Sequence, residues 1–265
     1  MGESFKAQLK SGKTMIGTHI TTRDPHWAEV MGTAGFDYYW VCAEHTELTL
    51  PDIYNILTAA KAAVHPTPCF VRVAENNPNL VKPILEMGPD GIIFPMSKTA
   101  DDVRLAVASC MYPPKGIRGW CPRRINDYGL EPTDHYLDTV DERIMKIVQI
   151  ETKEAVENLD EILTVDGVDA FIIGPCDLSA SLGHIMDHTH PEVVSTIEYI
   201  IKKVHEAGKF IGVSYGPYDV PAIQLWLDRG VDMISVGGEI MYVYDGAHQT
   251  VKNFREALAA SGRNK

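Results

Sequence analysis

The sequence predicts an α/β protein built as a (β/α)8 barrel, or TIM barrel, and three observations carry that prediction. Eight short apolar runs rich in β-branched residues alternate with amphipathic helical stretches from one end of the chain to the other. The length, 265 residues, matches the ~250 typical of one such barrel. The signatures of a doubly wound open sheet, the structural alternative, are missing: no G-x-G-x-x-G follows the first apolar run, and no G-x-x-x-x-G-K-[ST] phosphate loop occurs. With no linker and no repeat beyond the βα unit, residues 1–265 read as one domain.

The elements follow in order. Residues 14–18 form the first strand, ending near His19. Asp24 caps a helix with Pro25 at its first position, and that helix runs through Trp27, Val30 and Met31 to Gly35. The second strand covers 36–41 and ends at Glu44-His45; the helix over 50–64 aligns Ile53, Ile56, Leu57 and Ala60 on one face. The third strand is 69–73, followed by a helix over 78–87 that stops at Gly88. The fourth strand is 91–96, and Thr99 opens a helix ending near Tyr112-Pro113-Pro114.

Residues 115–142 break the rhythm, with glycines, Trp120, the pair Arg123-Arg124 and few periodic apolar positions. A long irregular insertion in a compact domain is usually functional, so it is expected near the active site; the alternative is a surface loop outside the chemistry. The fifth strand then spans 143–150 and leads to Glu151, a helix covers 153–163, and the sixth strand runs from 168 to Asp177. A helix over 191–207, a seventh strand over 209–214, a helix over 220–229, an eighth strand over 233–238 and a last helix over 242–260 complete the chain.

Composition narrows the function. At 45% hydrophobic and 23% charged, the chain is an ordinary globular one, and no apolar run reaches the ~20 residues of a membrane span. The first six residues lack a signal-peptide core, and Lys6 stands where a myristoylation signal needs Ser or Thr. Five scattered cysteines without C-x-x-C spacing fit a reducing cytoplasm rather than disulfides or zinc. A formal net charge of −12 argues against nucleic acid and anionic membranes, leaving small molecules as partners; an anionic substrate then needs a locally positive pocket.

In a barrel the chemistry gathers at the carboxyl ends of the strands. There the chain offers His19, Glu44, His45, Arg72, Gln149, Glu151, Asp177, Ser214 and the pair Gly237-Gly238. Glu151 and Asp177 are hard oxygen ligands suited to Mg2+ or Mn2+, leaving positions for water and a chelating substrate; alternatively each caps a helix. The planar fork of Arg72 suits a carboxylate or enolate oxygen, against a plain ion pair with Glu44 or Glu75. His45 is a candidate general base or a structural histidine. His184, His188 and His190 lie in one loop without a thiol, which reads as a solvated loop more readily than as a zinc site.

These residues resemble the HpcH/HpaI aldolase family, the metal-dependent (class II) pyruvate aldolases of the 4-hydroxy-2-oxoheptanedioate and 2-dehydro-3-deoxyglucarate type. The carrying motifs are Glu44-His45, Val71-Arg72-Val73, Tyr112-Pro113-Pro114-Lys115-Gly116-Ile117-Arg118-Gly119, Gln149-Ile150-Glu151 and the stretch from Gly174-Pro175-Cys176-Asp177 to Gly183, and the similarity runs from about Gly17 to Tyr244. The resemblance implies a (β/α)8 barrel, a hexamer (a trimer of dimers) and a last helix exchanged between subunits. It implies that Glu151 and Asp177 hold a divalent cation (Mg2+ or Mn2+, with Co2+ as a further candidate), which pyruvate or its enolate chelates, without an organic cofactor or lysine Schiff base. Arg72 is then the ligand of the 2-oxygen, the backbone amides of Cys176 and Asp177 take the carboxylate, and His45, with Glu44, governs the proton at the aldol hydroxyl.

Three departures stand out. Cys42 replaces the aspartate that partners the histidine in the family, so Glu44 is the remaining candidate for that task. His19 replaces a large apolar residue, and the insertion reads Gly119-Trp120-Cys121-Pro122-Arg123-Arg124. The substrate pocket is therefore expected to combine Arg72, Gln149, Gly174, Pro175, Cys176, Asp177 and Ser214 with an altered acceptor side of His19, Trp120, Arg123 and Arg124. The expected reaction is reversible cleavage of a 4-hydroxy-2-oxo acid to pyruvate, or a related 2-oxo acid, and an aldehyde. A decarboxylase of an oxaloacetate-like acid and a non-catalytic 2-oxo-acid-binding protein are the competing readings.

Overall fold

The computed structural model describes residues 4–263; the opening Met-Gly-Glu, part of the stretch read above for a targeting signal, lies outside the described residues. Strands β1 (Met15–Ile20), β2 (Tyr38–Cys42), β3 (Cys69–Arg72), β4 (Gly91–Phe94), β5 (Met145–Ile150), β6 (Ala170–Ile173), β7 (Phe210–Tyr215) and β8 (Met233–Gly238) pair in parallel and in sequence. β8 pairs back onto β1, closing a (β/α)8 barrel. Successive side chains on a strand point to opposite faces, so residues two apart share the barrel interior. Met15, Tyr38, Trp40, Phe70, Ile93, Met145, Ile147, Ala170, Ile172 and Met233 fill it. Continuing each inward row by one step reaches the carboxyl rim, and there the row turns polar: His19 after Gly17, Arg72 after Phe70, Gln149 and then Glu151 after Ile147, and Ser214 after Gly212.

Helices α1 (Phe5–Lys10), α2 (His26–Gly32), α3 (Leu50–Ala62), α4 (Pro78–Glu86), α5 (Ala100–Cys110), α6 (Thr133–Arg143), α7 (Lys153–Glu157), α8 (Leu159–Leu163), α9 (Pro175–Ser181), α10 (Pro191–Glu206), α11 (Val220–Asp228) and α12 (Glu239–Ala260) complete the chain. The outward strand faces bury their Val and Ile side chains against the helix layer in two clusters, one around α2–α4 and one around α8 and α10. Phe5 of α1 closes the amino end of the barrel, its ring edge-on to Tyr38 and Phe70 at 5.5 and 4.8 Å.

Several boundaries differ from expectation, each for a local reason. Asp24 lies one residue outside α2: Pro25 is the cap position, and Asp24 Oδ1 accepts the His26 N–H at 3.0 Å. The helix expected over 153–163 breaks at Asn158, whose side chain donates to the Lys98 carbonyl at 3.0 Å. The sixth strand stops at Ile173 because Pro175, with no N–H and a preset φ, starts α9 and places Asp177 in its first turn. The insertion is only partly irregular. It ends in the eleven-residue helix α6, whose buried Tyr136 and Val140 sit one turn apart among charged neighbours too dense to show an apolar period. Among the described residues, no helix is long and apolar enough to cross a membrane.

Candidate active site

The polar rim converges on Gln149, an inward-facing and buried side chain of β5. Its Nε2 donates to Glu151 Oε2 at 2.6 Å, and its Oε1 accepts from Arg72 Nη1 at 3.4 Å. One amide thus holds a carboxylate on one side and a guanidinium on the other. Glu151 is 2% exposed, and its second oxygen accepts the Met96 N–H at 2.7 Å. Thr152, rather than Glu151, caps α7, which removes the capping role considered for Glu151. Burial raises the Glu151 carboxyl to about 7, the Met96 amide opposes that rise, and the charges of Glu44 and Asp177 reinforce it.

Glu44 is raised as well, first by burial, against the pull of Arg72 and His45 and with a push from Asp177. Its Oε2 lies 3.0 Å from Arg72 Nη1, an ion pair, and 3.6 Å from His45 Nε2. The N–H directions miss it, so that buried oxygen has no hydrogen-bond partner among the described residues; the same is true of Arg72 Nε. The ion pair between Arg72 and Glu44 therefore exists, but it leaves Arg72 with a donor to spare. Cys42 takes Arg72 Nη2 on its Sγ at 3.0 Å and the backbone N–H of His45 at 3.4 Å, and so acts on the arginine and the loop rather than on the imidazole. Beneath them Trp40 carries the guanidinium over its ring at 5.2 Å. Trp40 and Met96 are site residues that the sequence expectations above do not include. Trp40 is inward by its two-residue spacing from Cys42, whereas nothing in the sequence marks the left-handed backbone at Met96 (φ 50°) that turns its N–H onto Glu151.

Gly174 is the closest approach in the site: a Cβ built there stands 2.5 Å from Glu151 Oε2 and 3.3 Å from Gln149 Nε2. Pro175 follows it, then Cys176 and Asp177, both exposed in the first turn of α9, where the leading amides of a helix have no intrahelical acceptor. Further round the rim, His19 at the end of β1 and Ser214 at the end of β7, the neighbour of β6, bond to one another at 2.9 Å.

Trp120, Arg123 and Arg124 do not belong to this rim, a correction to the expected acceptor side. α5 starts at the carboxyl end of the barrel with Thr99 and descends, so the chain leaves it at the amino end, and the insertion stays there. Arg124 donates to the Met87 carbonyl just past α4 at 2.9 Å and lines a cavity with Phe5, Asp90 and Met145 under the barrel. Trp120 packs on Tyr112 and Tyr136, and Arg123 lines a groove with Lys82 and Glu86. Elsewhere, His184 and His190 stack at 3.4 Å beside Glu192, while His188 packs on Tyr215. Nδ1 of His190 accepts the Glu192 N–H as the cap of α10, and the helix dipole there opposes a cation.

Beyond burial, the charge of Asp177 raises both Glu44 and Glu151 while Arg72 opposes the rise at both, with an unpaired acceptor on Glu44 and the Glu151 carboxyl raised to about 7. That surplus of hard oxygen donors fits a divalent cation. Adding the missing methyl at Gly174 should disturb it: in Gly174→Ala the Glu151 carboxylate must move, and affinity for Mn2+, read by calorimetric titration, is expected to fall roughly 10–100-fold.

Comparison with known proteins gives the family. The chain is 35% identical over 261 residues to the 2-keto-3-deoxy-L-rhamnonate aldolase of Escherichia coli O1:K1 / APEC, covering 98% of this chain and 94% of that one. Its fold superposes on an HpcH/HpaI aldolase/citrate lyase family protein from Burkholderia cenocepacia J2315 with a TM-score of 0.89, at 29% identity over 94% of this chain and 98% of that one. An HpcH/HpaI aldolase from Desulfitobacterium hafniense DCB-2 gives 0.88 at 28% identity, over 96% of this chain and 98% of that one. The family model described as HpcH/HpaI aldolase/citrate lyase matches residues 16–244, a span that runs from β1 into α12 and contains every rim residue described above, so this chain belongs to the HpcH/HpaI aldolase/citrate lyase family.

Proposed function

We propose that the protein is a divalent-metal-dependent aldolase that reversibly cleaves a 4-hydroxy-2-oxo acid into pyruvate, or a close 2-oxo acid, and an aldehyde. The observation that carries this reading is the Arg72–Gln149–Glu151 chain at the carboxyl rim, which sets a spare guanidinium donor beside a buried, cation-seeking carboxylate. The aldolase relative, named for a 2-keto-3-deoxy acid, supports the same substrate class.

Glu151 and Asp177 are the residues to hold the ion, Mg2+ or Mn2+ with Co2+ as a further candidate, which when bound supplies Lewis acidity at the 2-oxygen of the substrate. Arg72 donates to that same oxygen and steadies the negative charge that develops as the C3–C4 bond breaks. The first amides of α9, at Cys176 and Asp177, receive the substrate carboxylate, with Gly174 and Pro175 shaping the approach. Gln149 keeps Glu151 and Arg72 in register. His45, steered by Glu44, takes the proton from the 4-hydroxyl in cleavage and returns it in addition. Coupling released pyruvate to a lactate dehydrogenase assay tests the reaction. Release of CO2 from an oxaloacetate-like acid without aldehyde chemistry would instead favour decarboxylation. One observation favours that second reading: Cys42 meets His45 only at its backbone N–H, and among the described residues the imidazole has no hydrogen-bonded carboxylate partner.

The Glu151 shift sets a pH dependence. The carboxyl must lose its proton to bind a cation, and its raised value means that proton is present below pH of about 7. Mn2+ affinity is expected to weaken about tenfold per pH unit below that point and to level off above it. Calorimetry across the range from about pH 5.5 to 8 reads this directly, and a flat profile contradicts it.

The exposed apolar side chains of α12, among them Ile240, Val243, Tyr244, Val251 and Phe254, support a homo-oligomer, the trimer of dimers with this helix exchanged between copies. Five unpaired cysteines support a cytoplasmic location.

A further inference from the structure

Arg72 is held mostly by neutral groups. Its Nη2 donates to Cys42 Sγ at 3.0 Å and its Nη1 to Gln149 Oε1 at 3.4 Å. Among the described residues, Glu44 is the one carboxylate within ion-pair distance of it. The remaining support is a ring: the guanidinium carbon stands 5.2 Å from the centre of Trp40. Such a contact draws the cation to the negative face of the arene, and tryptophan has the strongest face of the aromatic residues.

Trp40 is a costly side chain for its place on β2. It is fully buried, and its Nε1–H has no hydrogen-bond partner among the described residues. A buried indole usually finds an acceptor, so packing alone favours a purely apolar side chain here. What the indole offers beyond bulk is its π face, and Arg72 lies over it. The His19 ring packs against the indole at 5.4 Å, so the ring is braced from β1 as well as from its own strand.

The kind of support decides how much charge is left. A carboxylate aligned on the fork would hold the guanidinium but also neutralise it and occupy its N–H groups. An arene steadies the cation without taking a hydrogen bond, and Arg72 Nε has no partner among the described residues. We propose that Trp40 is the positioning residue of Arg72, aiming the guanidinium at the 2-oxygen of the substrate through a cation–π contact. This rests on the aldolase reading and adds a residue to it; Trp40 acts through Arg72.

The test weakens the π face while keeping the shape of the side chain. Protein is grown with mono-, di-, tri- and tetrafluorinated tryptophan, and exchange of the pyruvate methyl protons is followed with Mn2+ at saturating pyruvate. The rate is expected to fall stepwise with fluorine number, to on the order of tenfold below the unsubstituted protein, with Mn2+ affinity unchanged. All four tryptophans are replaced in this series, including Trp226, which carries Arg229 at 4.7 Å. Trp40→Phe grown in the same series is the control, and its rate is expected not to follow the fluorine number. Thermal melts keep the comparison to folded samples. Among simple variants, Trp40→Phe is expected to retain more exchange than Trp40→Leu, because it keeps a ring face. A flat series in the wild type, or an equal slope in Trp40→Phe, overturns this inference alone. No exchange in the unsubstituted wild type overturns the aldolase reading and the inference with it.

Discussion

Glu151→Ala is expected to lower carbon–carbon cleavage by on the order of a thousandfold or more and to remove measurable Mn2+ binding, because it deletes the buried carboxylate of the proposed cation site. A loss of this size needs separating from a loss of fold, and the sign of the burial energetics allows it. Glu151 is a carboxyl whose native environment disfavours its charge, raised to about 7 mainly by burial. Without a cation, its replacement relieves that cost while orphaning the Met96 N–H and the Gln149 amide. The metal-free variant is therefore expected to melt close to the metal-free wild type. Added Mn2+ is expected to stabilise only the wild type, by linkage between binding and folding. Kinetics and thermal melts on the same preparations check both arms.

The second large effect is at Arg72. Arg72→Ala is expected to cost about 100–1,000-fold in kcat, the usual result of deleting a donor aimed at developing negative charge. It leaves Glu151 and Asp177 in place, so Mn2+ binding should persist. Arg72→Lys is expected to restore little, since one ammonium cannot serve Cys42 Sγ, Gln149 Oε1 and the Glu44 carboxylate while lying flat over Trp40. Equal losses of activity and of Mn2+ affinity would mean that the arginine holds the carboxylates together rather than the substrate.

The legibility of this chain in its sequence follows physical lines. The strands were readable because each is buried on both faces, and a run such as Lys146-Ile147-Val148-Gln149-Ile150 has little choice of structure. Gln149 is also the residue that betrays the site, as a polar side chain in a row where its inward predecessor is Ile147. Glu151 and Arg72 followed from the ends of such runs. The sixth strand was read four residues too long because Gly174-Pro175-Cys176-Asp177 continues the strand without a polar break, and only the imino ring at Pro175 turns it into α9. The insertion misled for a topological reason. Trp120, Arg123 and Arg124 look like site chemistry, but α5 delivers them to the amino end of the barrel, and no local pattern encodes which end a loop occupies. The partnership of Met96 with Glu151 spans 55 residues and depends on a backbone turn, and the pairing of His19 with Ser214 spans 195, so both became visible only once the barrel had closed.

The central claim is that the oxygen donors of β5 and α9, together with Arg72, stabilise negative charge on a 2-oxo acid. Pyruvate in deuterated water measures this without any aldehyde: its methyl protons exchange only if the protein supports that charge. Proton NMR is predicted to show rapid loss of the methyl signal with Mn2+ and protein, and none when the metal is chelated. Pyruvate that binds tightly with Mn2+ present yet keeps its methyl protons would contradict the account and mark the protein as a 2-oxo-acid binder without catalysis.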